Sequence, residues 1–594
     1  MSFRESLTAL SPTPAAYLKA ARELVASKEE GFRETRCAVL STFTAQVIEP
    51  YLVVESARRG MKLTAWFAPW GQLEEQVLDG AGELYAQKPD VIVVLARLEE
   101  LAPELLRGLA MPREETDRLA LQVTARLKNL FESIRRNSKA TVLLANFIPP
   151  FDAPAGLVDA MLPDSRVGLV QQVNGDLAQA CTVVPGVFLF DLARVAVRHG
   201  LQAWGDAKLF HMARIPVSVS GQIALARGLA RTMRAALIPP AKVLVLDLDN
   251  TLWGGVLGED GVGGIALGDE YPGNVYKAFQ RYLKTLKDRG FLLAVATKNN
   301  PADVEELWAR HQDCPLRRED FATVHINWQE KSTNLYEIAA ELNVGRDSLV
   351  FFDDSAFERA EVRKNAPEVI VIDAPDSALG YIDAIEESGY FDRLTLSAED
   401  RQRSALYQEQ ATRVQWEQGA SSPEEFLQSL ELVATIGPVD AETLPRVAQL
   451  LAKTNQFNLT VRRHTAAEIS ALIEQGSIAT WLRLADRFGD NGLVGVAIAV
   501  PENGARWRVD SFLLSCRVIG RRAETALLAD LARRIGIRGG RVLAGEFCPA
   551  PKNSLVADFY PRHGFGPSTE HRWERDIAEQ PLAAPECIRI TSYE

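Results

Sequence analysis

The chain is 594 residues long, 47% hydrophobic and 24% charged, with a formal net charge of −12; that length exceeds one core and predicts about three or four domains. The acidic balance, with no basic tract able to displace phosphate counterions, excludes nonspecific nucleic-acid binding. Six scattered cysteines (Cys37, Cys181, Cys314, Cys516, Cys548 and Cys587) show neither disulfide nor zinc spacing, no window approaches the ~18 apolar residues of a membrane span, and the start lacks a signal-peptide run, so a cytoplasmic protein with no membrane partner is expected.

Residues 1–240 alternate short apolar runs with amphipathic helices. CAVLSTF, KLTAWFA, PDVIVVLA, ATVLLANF and GVFLFDLA read as five strands, with helical stretches such as QVIEPYLVVESARRG and LKNLFESIRRN between them. That alternation predicts a parallel sheet covered on both faces. A helix over GQIALARGLARTMRAAL leads to Pro239 and Pro240, a seam between domains. Residues 241–392 repeat the logic with KVLVLDLD, FLLAVATK, FATVHIN, SLVFFDD and EVIVID. Ligands gather at the carboxyl ends of strands in such sheets. The polar residues there are Asp247 and Asp249, then Thr297, Lys298 and Asn299, then Asp353 and Asp354, with Lys331 in the loop after HIN. A charged helical linker is expected over 393–420, and a third, α+β domain over 421–594. Its expected elements are a helix over ETLPRVAQLLAKTNQFN, mostly antiparallel strands ATWLRLADRFG, GLVGVAIAV and WRVDSFLLS, and a helix over AETALLADLARRIG. The predicted class is therefore α/β multidomain.

Two carboxylates side by side at the edge of a core repel each other and cost stability. The bland alternative for any one acidic pair is a solvated strand end. Four motifs in register argue against it: DLDNT, VATKN, QEK and FFDDS, each at a strand end. Together they resemble the haloacid dehalogenase superfamily. The resemblance implies that Asp247 attacks phosphorus in line to form an aspartyl-phosphate. It implies that Asp249 protonates the leaving oxygen and then deprotonates water, with Lys331 and Thr297 on the phosphate. It also implies Mg²⁺, held by Asp247, the backbone carbonyl of Asp249, Asp353 and Asp354. An Asp at 249, where the superfamily's ATPases carry Thr or Ser, suits a phosphatase. The short stretch from Asp249 to Thr297 leaves no room for a substantial cap domain, which points to a large substrate or to a neighbouring domain acting as lid.

LDNTLWGGVLGEDG, LAKTNQFNLTVRR, DRFGDNGLVGV and FLLSCRVIGRRAE together resemble the FkbH-like family. Its members fuse a capless dehalogenase-type domain to an acetyltransferase-like domain, and the longer ones carry an N-terminal extension. The resemblance implies a GNAT-like C-terminal fold and synthesis of glyceryl-acyl carrier protein from 1,3-bisphosphoglycerate in polyketide or tetronate pathways. The expected partners are then an acyl carrier protein, through its phosphopantetheine arm, and a phosphorylated three-carbon substrate. Cys516, at a strand end before RVIGRRAE, is the candidate thioester nucleophile; a neighbouring Arg517 and a following helix N-terminus would lower its pKa. The alternative for a lone cysteine there is a buried apolar filler. Arg517 and Gly520 fit the Arg/Gln-x-x-Gly-x-Gly/Ala pyrophosphate turn of acetyltransferase-like folds, whereas Arg522 stands where Gly or Ala belongs. Thr454, Asn455, Gln456 and Asn458 suit a polar acyl group or an oxyanion, with Asn299 a further substrate contact in the second domain. Asp490 reads equally as a residue that orients a partner and as a turn former, and His563 is the third domain's candidate general base, with a surface-loop histidine the favoured alternative.

In the first domain, Ser41 after the first strand and Asp206 and His211 late in the sequence resemble the order of SGNH hydrolases. Gly-Asp-Ser and Gly-x-Asn-Asp are missing, and Arg97 follows VIVVLA instead. An SGNH/flavodoxin-like sheet is expected, as a degenerate scaffold that binds a partner or shields the thioester. Two further readings compete with the synthase: a plain Mg²⁺-dependent phosphatase of another small phosphorylated metabolite, with a non-catalytic C-terminal domain, and a non-catalytic binding scaffold.

Overall fold

The apolar runs pair strand to strand in three sheets. The computed structural model describes residues 7, 10–26, 31–106, 112–150, 154–162, 165–396, 422–550, 553–569 and 571–593. The chain divides into two compact units, Met1–Pro240 with Glu386–Thr395, and Ala241–Ile385 with Leu396–Glu594.

In the first unit β1 (Arg33–Ser41), β2 (Met61–Phe67), β3 (Val91–Leu95), β4 (Thr141–Ala145) and β5 (Val187–Phe190) form a parallel sheet in the order β2-β1-β3-β4-β5. Side chains alternate between two cores. Val39, Val91, Val93 and Leu95 pack with the helices Glu49–Arg58 and Val219–Leu237, whereas Ala38, Leu40, Ile92 and Val94 pack with Arg113–Asn137. Burial on both faces is why β3 reads as an unbroken apolar run. Residues 386–395 belong to this unit. The Arg231 guanidinium bonds Asp392 at 2.7 Å and Glu386 at 3.1 Å, and Arg234 donates to the Gly389 carbonyl at 3.2 Å. The expected boundary at 392 falls inside this returning segment. Of the expected linker over 393–420, residues 397–420 lie outside the described residues.

The second unit opens with β6 (Val243–Leu246), β7 (Leu292–Thr297), β8 (Thr323–Ile326), β9 (Leu349–Asp353) and β10 (Ile370–Asp373), all parallel, in the order β10-β9-β6-β7-β8. Strand order reverses between β6 and β9, which opens a crevice at their carboxyl ends. The Asp247 N–H donates to the Phe352 carbonyl at 3.1 Å, so pairing runs one residue past β6 and sets Asp247 beside Asp353.

The rest of this unit is α+β. It contains β11 (Leu432–Pro438), β12 (Phe457–Asn458), β13 (Ile478–Asp486), β14 (Gly489–Pro501), β15 (Arg506–Leu514), β16 (Val542–Glu546), β17 (Gly566–Thr569), β18 (Arg572–Asp576) and β19 (Ile588–Ser592). Their order is β17-β18-β16-β15-β14-β13-β11-β19, with β12 against β15. The helix Ala523–Ile537 buries Leu527, Leu528, Leu531 and Ile535 in the core of this sheet. The sheet is mostly antiparallel, but β15–β16 and β11–β19 are parallel. One expected element is shorter than its sequence pattern: the helix covers Leu444–Lys453, and Phe457 and Asn458 pair antiparallel with Leu514 and Leu513. The buried Phe457 ring, 6.4 Å from Phe512 and 5.9 Å from Phe559, takes the chain into the sheet rather than onward in a helix.

Candidate active site

Strand ends bring the polar residues of the second sheet together. Asp247 follows β6, Thr297 ends β7 and Asp353 ends β9, while Lys331 is the first residue of the helix Lys331–Glu341. All four are buried. The Lys331 ammonium bridges two carboxylates, 2.5 Å from Asp247 Oδ1 and 2.7 Å from Asp353 Oδ2. Burial alone would lower the lysine pKa, but the charges of Asp247 and Asp353 outweigh it and raise it. Asp353 is pushed up to about 6, by burial first and then by the Asp247 charge. Burial and Asp247 also raise Asp354.

One ammonium leaves this cluster short of positive charge. Carboxylate oxygens of Asp247, Asp353 and Asp354 lie within 4.8 Å of one another, an all-oxygen, all-acidic donor set. Such a set fits a hard divalent cation of the Mg²⁺ type and not a thiolate- or imidazole-seeking metal.

Asp249 is held apart from the cluster. Its Oδ1 accepts from the Trp253 indole at 2.8 Å and from the Leu257 N–H at 3.0 Å, and its Oδ2 accepts from Asn299 Nδ2 at 2.9 Å. Burial raises its pKa against the pull of these donors. The structure thus places Asn299 on Asp249. Two supporting residues went unread in the sequence. Arg359 Nη1 donates to the backbone carbonyls of Asp353 and Asp354, at 2.8 and 2.7 Å, and fixes the turn that carries both. Trp253 stands in the quoted LDNTLWGG, and its placement four residues after Asp249 was the available signal. Lys298 turns away to Glu358, at 2.7 Å.

In the α+β region, Cys516 opens a 3-10 turn, Cys516–Val518, directly after β15, but its side chain lies outside the described residues. Arg517 Nε donates to Ser515 Oγ at 3.3 Å, and Gly520 adopts a left-handed φ of 85°. Arg522, at φ 59°, caps the helix Ala523–Ile537 in the same left-handed region, where a glycine would sit without strain. The amides of KTNQFN differ in their freedom. Asn458 is buried, donates to the Thr454 carbonyl at 3.2 Å and accepts from the Val461 N–H at 2.9 Å. Asn455 Oδ1 accepts from Arg463 at 2.6 Å, and Gln456 is exposed. Asp490 pairs with Arg483 across the β13–β14 hairpin at 2.6 Å. His563 is not a free surface histidine: its ring is half-buried, 2.9 Å from Thr525 Oγ1 and 2.8 Å from the Phe559 carbonyl, and burial lowers its pKa. A network missed in the sequence joins His464 to Asp510 at 2.7 Å, with Arg462 bonding both Asp510 and Glu546.

The first sheet brings no triad together. Ser41 Oγ donates to the Phe43 carbonyl at 2.6 Å, and Asp206 Oδ1 caps its own helix by accepting from the Leu209 N–H at 2.9 Å. Among the described residues no hydrogen bond links Ser41, Asp206 and His211. No helix among them is long and apolar enough to cross a membrane.

Comparison with known proteins agrees with the resemblance read from the sequence. Residues 36–227 match the profile of FkbH, N-terminal domain. A solved structure, the N-terminal part of the protein BF1531 from Bacteroides fragilis containing a phosphatase domain complexed with Mg, matches at 26% identity and a TM-score of 0.56. It covers 63% of this chain and 99% of that one. A GNAT-family structure from Desulfovibrio desulfuricans also matches, at 15% identity and a TM-score of 0.20, over 25% of this chain and 99% of that one. At that score it carries no weight for this chain. No curated protein matches significantly.

Proposed function

We propose that this chain, which carries an FkbH N-terminal domain, is a Mg²⁺-dependent phosphatase joined to an acyl-transfer domain, and that it converts 1,3-bisphosphoglycerate to a glyceryl thioester on an acyl carrier protein. The observation that carries the phosphatase part is the buried cluster of Asp247, Asp353 and Lys331 at the point where strand order reverses. The likeness to BF1531, whose phosphatase domain is complexed with Mg, supports it.

The residues divide the work. Asp247 attacks the 3-phosphate phosphorus, and the bond to the leaving oxygen breaks as Asp249 gives that oxygen a proton. Asp249 then takes a proton from water, which attacks the aspartyl-phosphate and frees phosphate. Lys331 and Thr297 hold phosphate oxygens. Asp247, the Asp249 carbonyl, Asp353 and Asp354 would hold Mg²⁺, which supplies positive charge against the phosphoryl oxygens. On the α+β domain, the Cys516 thiolate attacks the acyl-phosphate carbonyl, expels phosphate, and passes the acyl group to the pantetheine thiol. Arg517, Gly520, Asn455, Gln456 and Asn458 are the proposed contacts for that arm and acyl unit. The plain phosphatase reading keeps a specific support: the Asn458 amide and the Asn455 oxygen are already engaged within the fold.

The test is to incubate the protein with 1,3-bisphosphoglycerate, Mg²⁺ and carrier protein and to weigh every species. The wild type loads the carrier and, without carrier, gains a hydroxylamine-labile increment on the peptide VDSFLLSCR. Cys516→Ala and Cys516→Ser release the 3-phosphate and load nothing. A carrier loaded by both variants would overturn the thioester route and leave the phosphatase.

A further inference from the structure

Asp249, the proposed acid, has two oxygens, and its transferable proton can sit on either one or be confined to one. The hydrogen bonds around it decide which. A carboxylate oxygen has two lone pairs. Oδ1 has both occupied, by the Trp253 indole N–H at 2.8 Å and the Leu257 backbone N–H at 3.0 Å. Oδ2 accepts one bond, from Asn299 Nδ2 at 2.9 Å, and keeps one lone pair open. A proton on Oδ1 would face two N–H groups and cost one of those bonds, so only Oδ2 can carry it without loss.

We infer that Trp253 is a positioning residue for general-acid catalysis, whose indole N–H, with the Leu257 N–H, fills Oδ1 of Asp249 and confines the transferable proton to Oδ2. The fold supports this assignment beyond the distances. Trp253 is wholly buried, and Asp249 and Trp253 are also joined by an isolated parallel bridge. The loop that follows closes on itself, with Gly254 paired to Ala266, so Leu257 is returned to the same oxygen. In the step itself the Oδ2–H bond breaks as the leaving oxygen gains the proton and parts from phosphorus, and the Asp247–phosphorus bond forms. The proton is recovered from the attacking water.

This inference rests on the phosphatase reading, and one experiment separates the two. Hydrolysis of p-nitrophenyl phosphate, whose phenolate leaves without help, is compared with that of an alkyl phosphate such as 3-phosphoglycerate, whose alkoxide needs a proton. Trp253→Phe should lose about tenfold or more in kcat on the alkyl ester, with KM little changed, and stay within about threefold on the aryl ester. Leu257→Pro should give the same pattern. Leu257 opens the short helical turn Leu257–Asp260 after an extended Val256, a place where the backbone accepts proline; the N–H is lost and, with it, the buried isobutyl group, so its melting temperature is measured beside the two esters. It stands as the second variant should Trp253→Phe not fold. Equal losses on both esters, or none on either, would overturn the positioning role and leave the phosphatase intact. A wild type that turns over neither ester overturns the phosphatase reading, and this inference with it.

Discussion

Two five-stranded parallel sheets in this chain reverse their strand order and open a crevice at their carboxyl ends, β1 against β3 in one and β6 against β9 in the other. Both place polar residues there. In the first, Ser41 at the end of β1 donates to the Phe43 carbonyl, and Asp206, which lies outside the strands, caps a helix through Oδ1. In the second, the carboxylates of Asp247, Asp353 and Asp354 crowd one another, and a single buried ammonium does not balance them. A strand-end position makes a residue eligible for function, and uncompensated charge or an open valence makes it a candidate. Topology supplies the first and side-chain chemistry the second.

The largest effect is expected from Asp247→Asn, which keeps shape and loses the nucleophilic charge. Phosphate release should fall by about three orders of magnitude or more, with the melting temperature preserved or raised because a repelling charge is gone. Release within tenfold of wild type in a folded protein would put the two crevices on one footing. Next in size is the metal. EDTA should stop release and Mg²⁺ restore it, and Asp353→Ala and Asp354→Ala should each raise the Mg²⁺ needed for half activity by about tenfold or more. Titrations that superimpose on the wild type would reduce the acidic pair to a strand end.

Much of this contrast was legible in the sequence, and the unread part has a common cause. The central strands β3, β6, β7 and β9 of the parallel sheets are short apolar runs buried along their whole length, so composition alone marks them. Asp247, Thr297, Lys331, Asp353 and Asp354 could be found because each ends such a run or follows one closely. Phe457 and Asn458 were misread as helix because the amphipathic pattern before them continues smoothly; only the partner strand, far along the chain, decides the pairing. The edge strand β17, GPST, and its neighbour β18, RWERD, lack an apolar run to betray them. Trp253, Arg359 and the His464–Asp510 pair escaped for the same reason: their roles lie in partners, not in spacing.

The acidic crevice should also respond to pH, on the scale of roughly 1–3 kcal/mol. Asp353 in the folded chain is raised to about 6, by burial first and the Asp247 charge second. A folded carboxyl with a raised pKa binds protons more tightly than the unfolded chain does. Its stabilising contribution is therefore complete below the ordinary carboxylate range and is lost as pH rises through about 6. Lys331 does not blur this window, since its pKa is raised from an already alkaline value. In EDTA, the wild type should lose stability relative to Asp353→Asn between about pH 4 and pH 6.5, and Mg²⁺ at neutral pH should recover much of it. Parallel melting curves for the two proteins across that range would show that the cluster carries no unbalanced charge.

The smallest effect is expected from the first crevice, and it is diagnostic because it should appear in stability alone. Ser41 is buried and its hydroxyl donates to the Phe43 carbonyl at 2.6 Å, a bond that closes the turn after β1. Ser41→Ala removes the donor and leaves a carbonyl without that partner, which costs about 1 kcal/mol. Neither phosphate release nor carrier loading should change by more than about twofold, because no hydrogen bond joins Ser41 to Asp206 or His211 and its proton is already committed. His211→Ala, on an exposed helix end, should leave both stability and turnover as they are. A nucleophilic serine would behave in the opposite way, as Asp247 is expected to: activity lost, fold kept or strengthened. Loss of carrier loading in Ser41→Ala, with its melting temperature unchanged, would therefore move the first crevice into the same class as the second.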